Sequence, residues 1–395
     1  MKKCSIPMEG LDEKLIQQLK YAVFFIDETI NDVTEADGFL EIEHQGDSAA
    51  IQNKAERLIE RFSSHEFAYK ERVLFGSPVS VPYSGNIVDE LGHKRIIKLL
   101  ENGIFTFRQP FTTLLRFFDR CFVSKIGNPL KAEEEYYPVI IHGNTLNKTN
   151  HFTSFPEHIH FVSHLKEDLD ILDSFSQSMR EQGGWKQEHP IDMNSSMQSP
   201  SYVINPATCY HCYEGMQEEQ LEEGKVITAV SKVHRYEGKN HQDFGRLMDF
   251  TMREIIFVGT PVFVKEKREA SLQMLTDILR EWELDCYIEN ANDPFFTNDY
   301  KIKASFQRTQ EMKYEVRMRI PYLGSSLAVA SSNFHSNTFG KAFHITAGVR
   351  PALTGCLAFG LERWVFAFLS QYGLDEKQWP IRLREEWQKW REDNG

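Results

Sequence analysis

The chain has 395 residues, 41% of them hydrophobic and 26% charged, enough for one large domain plus a smaller one of ordinary soluble composition. Its formal net charge of −12 argues against a broad nucleic-acid-binding face, though not against a local basic patch. Apolar runs are too short to span a bilayer, the opening "MKKCSIPMEGLDEKL" lacks the apolar stretch of a secretion signal, and six cysteines in so long a chain point to reduced thiols or metal ligands, so a cytoplasmic enzyme or binding protein is expected.

In chain order, helices are expected over 11–34 and 48–64. The second is capped by Ser48 and carries Ile51, Ala55, Leu58, Ile59 and Phe62 on one face. Between them "TEADGFLEIEHQGD" predicts an acidic loop. Residues 70–109 are mixed, with "FGSPVSVPYSGNI" irregular. A helix is expected from Thr112 to Val123, ending before Gly127 and Pro129. "YYPVIIHGNTL" predicts a strand, and "HFTSFP" a turn into another. The polar, acidic stretch 166–200 is taken as an insertion.

From 201 onward the signals are denser: a hairpin at 226–264, an amphipathic helix at 267–283, strands at 313–320 and 325–332, and a strand running into a helix at 353–372. That helix aligns Leu361, Trp364, Val365 and Phe368 and stops at Gly373. In the tail, Leu383, Trp387 and Trp390 fall at helical spacing suited to packing on the body. Runs of strands closed by helices give an α+β fold, an antiparallel sheet with helices on one face. The expected division is a mostly helical N-terminal extension over 1–105 and a catalytic domain over 106–395.

The hairpin raises the functional question. In "VHRYEGKNHQDFGRLMDFTMREIIFVGT", a strand Val233–Glu237 and a strand Phe250–Val258 flank the polar loop Gly238–Gly245. A structural hairpin closes with about two to five residues. A longer, charged loop over an antiparallel sheet more often serves a ligand.

Taken with Arg235-x-Glu237 on this hairpin, "TGCLAFGLERW", with Gly355 and Gly360 ahead of Glu362 and Arg363, resembles motifs 2 and 3 of the class II aminoacyl-tRNA synthetases. "FTTLLRFFDRCFVSKIGNPLKAEEEYYPVII" then resembles motif 1, with Pro138 at the dimer-forming turn. More narrowly, "MREIIFVGTP", "ANDPFF", "QEMKYEVRMRIPY" and "SNFHSNTFG" resemble the amino acid:carrier protein ligases, shortened homologues of the atypical zinc-dependent seryl-tRNA synthetases, over roughly residues 110–372. The first hundred residues match less clearly.

That resemblance implies activation of a small amino acid as its adenylate, followed by loading onto the phosphopantetheine thiol of a carrier protein. It implies Arg235 at the ATP α-phosphate, Glu237 at the adenine amino group and Phe250 stacked on adenine. Arg246 is implied at the γ-phosphate, and Arg363 at the γ-phosphate and the other face of the base. Asn333 is implied in substrate binding, and Cys209, Glu254 and Cys356 as ligands of Zn2+. Two thiolates and one carboxylate leave a fourth tetrahedral position for a neutral amine, which would make the metal a selector of amino acids. Fixed guanidinium forks suit the charge that develops on a leaving pyrophosphate. A homodimer is implied; tRNA is not the expected acceptor and no membrane is.

Other readings of the same residues stand beside this one. Each arginine taken singly fits a surface ion pair. Cys209-x-x-Cys212 is half of a structural zinc pattern without a second half, and Cys4, Cys121, Cys212 and Cys286 read as incidental thiols. His211 reads as a polar neighbour, and no histidine is expected to be catalytic. "YKIKASFQRTQEMKYEVRMR" is the densest basic cluster of the second half, the place for an acidic carrier to dock or simply a solvated face. Two features depart from the class pattern. No Asp or Glu lies between Glu315 and Glu362, where an acid helps hold Mg2+, although Ser325 and Ser326 fall near that place; and Ala358 replaces the middle glycine of motif 3. The alternatives are therefore a seryl-like tRNA synthetase and a non-catalytic zinc-dependent amino-acid-binding homologue.

Overall fold

Every second residue of Lys313–Ile320 is apolar, and Tyr314, Val316, Met318 and Ile320 are all buried, so one face of this strand is committed to the core. The same alternation builds an eight-stranded sheet in a computed structural model that describes residues 1–11, 13–63, 72–185, 193–238, 244–291 and 312–394. Its strands run in the order Val73–Ser77, Cys286–Asn290, Lys313–Ile320, Ser325–Ser336, Leu353–Gly360, Asp249–Gly259, Gly224–His234 and Glu133–Glu135. Neighbours are antiparallel except at the last pair, which is parallel.

The two faces of the sheet bury different things. On one, the helices Phe111–Phe122, Pro261–Glu281, Leu361–Tyr372 and Ile381–Asn394 pack against Ile255, Phe257, Leu357 and Phe359 in the main apolar cluster. Phe122 stacks on Phe359 with ring centres 3.9 Å apart, and Trp364 meets Phe122 edge-on at 4.8 Å. Leu383 and Trp387 of the tail helix are buried there as well. On the other face, the short helices Cys209–Gly215 and Thr338–Ala342 cover Ile227, Val233, Met252, Ile256, Cys356 and Ala358. Strands covered on both sides read as near-continuous apolar runs, which is why "EIIFVG" carries no polar alternation.

The sheet and its motif 1 helix are tied by a buried charge. Arg253, 1% exposed, donates Nε and Nη2 to the two carboxylate oxygens of Asp119 at 2.6 and 2.8 Å, and also reaches Glu134 Oε1 at 3.4 Å. A bidentate fork of this kind compensates the desolvation of the guanidinium.

The N-terminal expectations need correction. The first helix stops at Val23, and Ile30–Ala36 and Phe39–His44 form a hairpin where an acidic loop was expected. Asp37 and Gly38 both have positive φ (50° and 81°), the geometry of a two-residue turn that matches strand twist. Ile30, Val33, Leu40 and Ile42 are buried, while the acids alternate with them. With Lys2–Pro7 the hairpin makes a three-stranded sheet that shares its own apolar cluster with the helices Glu13–Val23 and Ser48–Ser63, so this unit is mixed α/β, not mostly helical. The boundary at 105 also moves. Val73–Ser77 pairs with Cys286–Asn290 in the main sheet, and Ile87 and Leu91 lie in the main core.

Elsewhere the helix expected at 112–123 is Phe111–Phe122, followed by a wider turn at Val123–Gly127. Of "YYPVIIHGNTL" only Ile140–His142 is a strand, paired with Tyr202–Ile204 outside the main sheet; Gly143–Lys148 is helical and capped by the His142 ring, which accepts from Asn144 N. "HFTSFP" holds the short helix His151–Ser154. Within 166–200, Leu169–Gln182 is a helix with no buried residue, capped by Asp168. Most of "ANDPFF" and of the basic run from 300 lies outside the described residues. Among the described residues no helix is long and apolar enough to cross a membrane.

Candidate active site

The hairpin strands Gly224–His234 and Asp249–Gly259 pair so that Val233 faces Phe250 and Ala229 faces Glu254. The first strand is therefore longer than expected and ends at His234; Arg235, Glu237 and Gly238 lie beyond it, outside the ladder. On the other side Glu254 faces Ala358 and Ile256 faces Cys356, and one strand further Ala358 faces Ser331 and Cys356 faces Asn333. Residues opposite one another in an antiparallel ladder share a face, and so do residues two apart along a strand. Phe250, Glu254, Cys356 and Asn333 thus project from one face of the sheet. Ala358, at the motif's middle-glycine position, stands in the same row between Ser331 and Glu254.

Cys209 joins this face from above, at the start of the Cys209–Gly215 helix. Its backbone N donates to Glu254 Oε1 at 3.2 Å. Asn333 Nδ2 donates to Cys356 Sγ at 3.5 Å and to Ser331 Oγ at 3.0 Å. Glu254, Cys209 and Cys356 are 1%, 4% and 2% exposed, and Glu254 Oε2 has no hydrogen-bond partner among the described residues. Hydrogen bonding with Cys356 and burial hold the Cys209 thiol well above its usual range. Burial pushes the Glu254 carboxyl up.

Among the described residues no three His, Cys, Asp or Glu side chains already stand at the spacing of a metal cage. The donor chemistry nevertheless fits one. Two soft sulfurs and a carboxylate meet in a buried place, and one carboxylate oxygen lacks the partner that burial demands.

The second group of residues lies where the hairpin opens. Arg235 Nε donates to Pro206 O at 3.0 Å, and its guanidinium sits 5.6 Å from the centre of the Phe250 ring. Glu237 is 7% exposed and accepts from Arg246 Nη1 at 2.9 Å. Burial works against its charge, but Arg246, Arg363 and His158 together hold its carboxyl below the ordinary value. Arg363, in the first turn of the Leu361–Tyr372 helix, reaches Ala328 O at 3.5 Å. Burial lowers its proton affinity, Glu237 opposes that, and Arg246 and Arg235 add to it. Arg235, Glu237, Arg246, Phe250 and Arg363 therefore stand within electrostatic or ring contact of one another.

Three polar features of this region were not legible as such. Glu362, fully buried, accepts from Thr251 N and Thr251 Oγ1, both at 2.7 Å, and from Lys232 Nζ at 3.2 Å, which fixes the helix bearing Arg363 to the hairpin. Glu157 has both carboxylate oxygens buried without a hydrogen bond from another described residue; burial pushes it up to about 7, its own backbone N–H opposes that, and Glu237 adds to it. Glu315 shares the site face, opposite Ser331, and acts on Arg363 from there, but it is engaged by Lys313 at 3.0 Å and Arg317 at 3.1 Å. Ser326, near the place expected for an acid, is taken by Arg317, which donates to its Oγ and its carbonyl at 3.0 Å each. The His211 ring, expected to be a satisfied neighbour, has a backbone contact at Pro138 but a buried Nε2 with no partner among the described residues. All six cysteines are free thiols.

No protein-family model matches the chain. It is 28% identical over 292 residues to the type-2 serine–tRNA ligase of Methanococcus aeolicus, covering 72% of this chain and 55% of that enzyme. It is 26% identical over 316 residues to amino acid–(acyl-carrier-protein) ligase 1 of Bradyrhizobium diazoefficiens, covering 79% of this chain and 93% of that protein. The chain thus spans about half the length of most of the serine–tRNA ligases it matches. Among solved structures it resembles M. kandleri SerRS in complex with A. aeolicus tRNASec (TM-score 0.73, 19% identity, 98% of this chain and 77% of that one). It also resembles the cytoplasmic serine–tRNA ligase of Naegleria fowleri in complex with AMP (TM-score 0.60, 10% identity, 86% and 79%). The fold is that of the class II aminoacyl-tRNA synthetases, and the likeness to M. kandleri SerRS runs through almost the whole chain, the N-terminal residues included.

Proposed function

We propose that this protein is an adenylate-forming ligase that activates a small amino acid with ATP and transfers it to the phosphopantetheine thiol of a carrier protein. The observation that carries the reading is the nearness of two residue sets: Phe250 projects from the same sheet face as Glu254 and Cys356, its companions gather beside it where the hairpin opens, and Arg235 acts electrostatically on Glu254. The Cys209–Glu254–Cys356 set suits an amino group, and the Arg235, Glu237, Arg246, Phe250, Arg363 set suits a nucleoside triphosphate.

In the first step a carboxylate oxygen of the amino acid attacks the α-phosphorus, the bond to the bridging oxygen breaks, and pyrophosphate leaves. Arg235 is assigned to the α-phosphate, where negative charge grows in the transition state. Arg246 and Arg363 are assigned to the polyphosphate end, Phe250 to the adenine face and Glu237 to its amino group. Mg2+ is expected to enter with the ATP. In the second step the carrier thiolate attacks the carbonyl carbon, a thioester forms and AMP departs. Cys209, Glu254 and Cys356 would hold Zn2+, which when bound supplies a Lewis-acidic position for the neutral amino group; Asn333, hydrogen-bonded to Cys356, would orient that end of the substrate.

The carrier reading is supported by the 93% of the Bradyrhizobium ligase that aligns. A second acceptor, tRNA, is favoured by the serine–tRNA ligases among the relatives and by the extent of the likeness to M. kandleri SerRS. Dimerisation fits an exposed apolar surface next to motif 1, where Ile140, Phe161 and Tyr202 of the short strands Ile140–His142, Phe161–Val162 and Tyr202–Ile204, with Tyr136 and Val139 just before them, face solvent.

The test is an amino-acid panel in an ATP–pyrophosphate exchange assay, followed by radiolabel transfer. Label on a phosphopantetheinylated carrier, released by hydroxylamine and absent from the apo-carrier and bulk tRNA, is the expected result. Efficient tRNA charging without carrier labelling would put the synthetase reading first. No exchange with any amino acid would leave a binding protein only.

A further inference from the structure

Arg246 is held from two directions. Its Nη1 donates to Glu237 Oε2 at 2.9 Å, and its guanidinium lies 4.5 Å over the ring centre of Tyr21, in the Glu13–Val23 helix of the N-terminal unit. Tyr21 is only 6% exposed. Just past that helix, Phe25 meets the Tyr21 ring edge-on at 5.3 Å and lies against Gly238, the residue after Glu237. A Cβ on Gly238 would stand 3.1 Å from the Phe25 ring, and Gly238 has φ +65°, so a side chain there would strain the backbone and crowd the aromatic. Tyr21 and Phe25 thus grip the hairpin opening at Arg246 and at Gly238. The surroundings of the Tyr21 hydroxyl say the same: burial and Glu237 raise its proton affinity, and Arg246 and Arg235 oppose them.

We propose that Tyr21 is a positioning residue for nucleotide recognition: its ring fixes the Arg246 guanidinium at the polyphosphate end of the site, so that the N-terminal unit completes the ATP site of its own chain. The inference rests on the ATP assignment above and adds a residue from outside the motifs. A guanidinium laid on an aromatic face is restricted to few rotamers and partly desolvated, and both effects strengthen its pairing with phosphate. Tyr21 touches no reacting atom in this scheme. Its effect passes through Arg246, which reaches β- and γ-phosphate groups and not the adenosine part of the ligand.

That division gives the test. Binding of a non-hydrolysable ATP analogue and of AMP is measured by calorimetry on the full chain and on the variants Tyr21→Ala, Tyr21→Leu and Tyr21→Phe. We expect Tyr21→Ala and Tyr21→Leu to weaken the ATP analogue about tenfold while AMP stays within about twofold. Tyr21→Phe, which keeps the ring face, should bind like the wild type. Tyr21→Leu keeps apolar bulk and decides the matter where Tyr21→Ala does not fold. An unchanged ratio of ATP-analogue to AMP affinity in Tyr21→Leu overturns the role of Tyr21 and leaves the nucleotide site standing. A wild-type chain that binds neither nucleotide overturns the nucleotide assignment itself, and this proposal with it.

Discussion

Cys209 meets Glu254 twice, through its backbone N, which donates to Glu254 Oε1 at 3.2 Å, and through its thiol, while the buried Oε2 of the same carboxylate has no hydrogen-bond partner among the described residues. An unmet acceptor in an apolar setting costs about 1–3 kcal/mol. A cation bound there would remove that penalty.

We therefore expect one zinc per chain after purification without chelator, measured by elemental analysis. The double variant Cys209→Ala, Cys356→Ala should carry none. Full zinc content in that variant, or full activity of a zinc-free preparation, would remove these ligands from the scheme.

Arg235 gives a kinetic prediction. A donor that strengthens its contact as charge develops on phosphorus is worth about 10²-fold or more in rate. Arg235→Ala should lose at least that in pyrophosphate exchange while its circular dichroism spectrum and melting temperature stay close to wild type. Exchange near the wild-type rate in this variant would detach Arg235 from the α-phosphate.

The Arg253–Asp119 fork predicts stability instead of activity. Breaking one side of a buried, hydrogen-bonded pair costs about 3–5 kcal/mol where the remaining charge is uncompensated; Glu134 still reaches Arg253 at 3.4 Å, so Asp119→Ala should fall at the lower end of that range in denaturant unfolding. Replacing both partners by apolar residues of similar size, Arg253→Met with Asp119→Leu, should cost clearly less than either single change. Additive losses would show that the two groups act independently.

Glu157 predicts a pH dependence. Its carboxyl is raised to about 7 by burial and by Glu237, above its value in the unfolded chain, and His158 and Tyr21 are the other titratable groups beside it. The folded state thus binds the proton more tightly. Stability from this group is fully present below the ordinary carboxylate range, falls as pH rises towards 7, and levels off above it. Between pH 5 and 8 the wild type should lose about 1–3 kcal/mol that Glu157→Gln does not lose. Parallel stability profiles for the two proteins would contradict the shift.

How much of this was readable in the residues differs by region. Lys313–Ile320, Ser325–Ser336 and the strand-to-helix passage into Leu361–Tyr372 were legible because alternation or helical spacing of apolar residues follows directly from which face is buried. The hairpin at 30–44 was missed because its acids dominate the composition. Its signal was the Asp37-Gly38 pair between alternating apolar residues, a turn type that positive φ makes specific. Cys209, Glu254 and Cys356 have no shared spacing, since they come from a helix and two non-adjacent stretches of chain; only resemblance gathered them. Tyr21 was invisible for a related reason. Nothing local in "KLIQQLKYAVFF" distinguishes a tyrosine that packs on its own helix from one that meets an arginine in the other half of the chain.

The Val73–Ser77 strand has a practical consequence. It is the outermost strand of the eight, laid along Cys286–Asn290, and it is contributed by residues that precede the motif-bearing part of the chain. A chain shortened at residue 105 to isolate the motifs would strip that strand away and lay bare a row of backbone donors and acceptors on Cys286–Asn290. Exposed rows of this kind pair with one another between molecules. A chain cut near residue 71 keeps the edge covered. The two truncations, differing by some thirty residues that carry none of the proposed site, should differ in whether they stay monodisperse or precipitate.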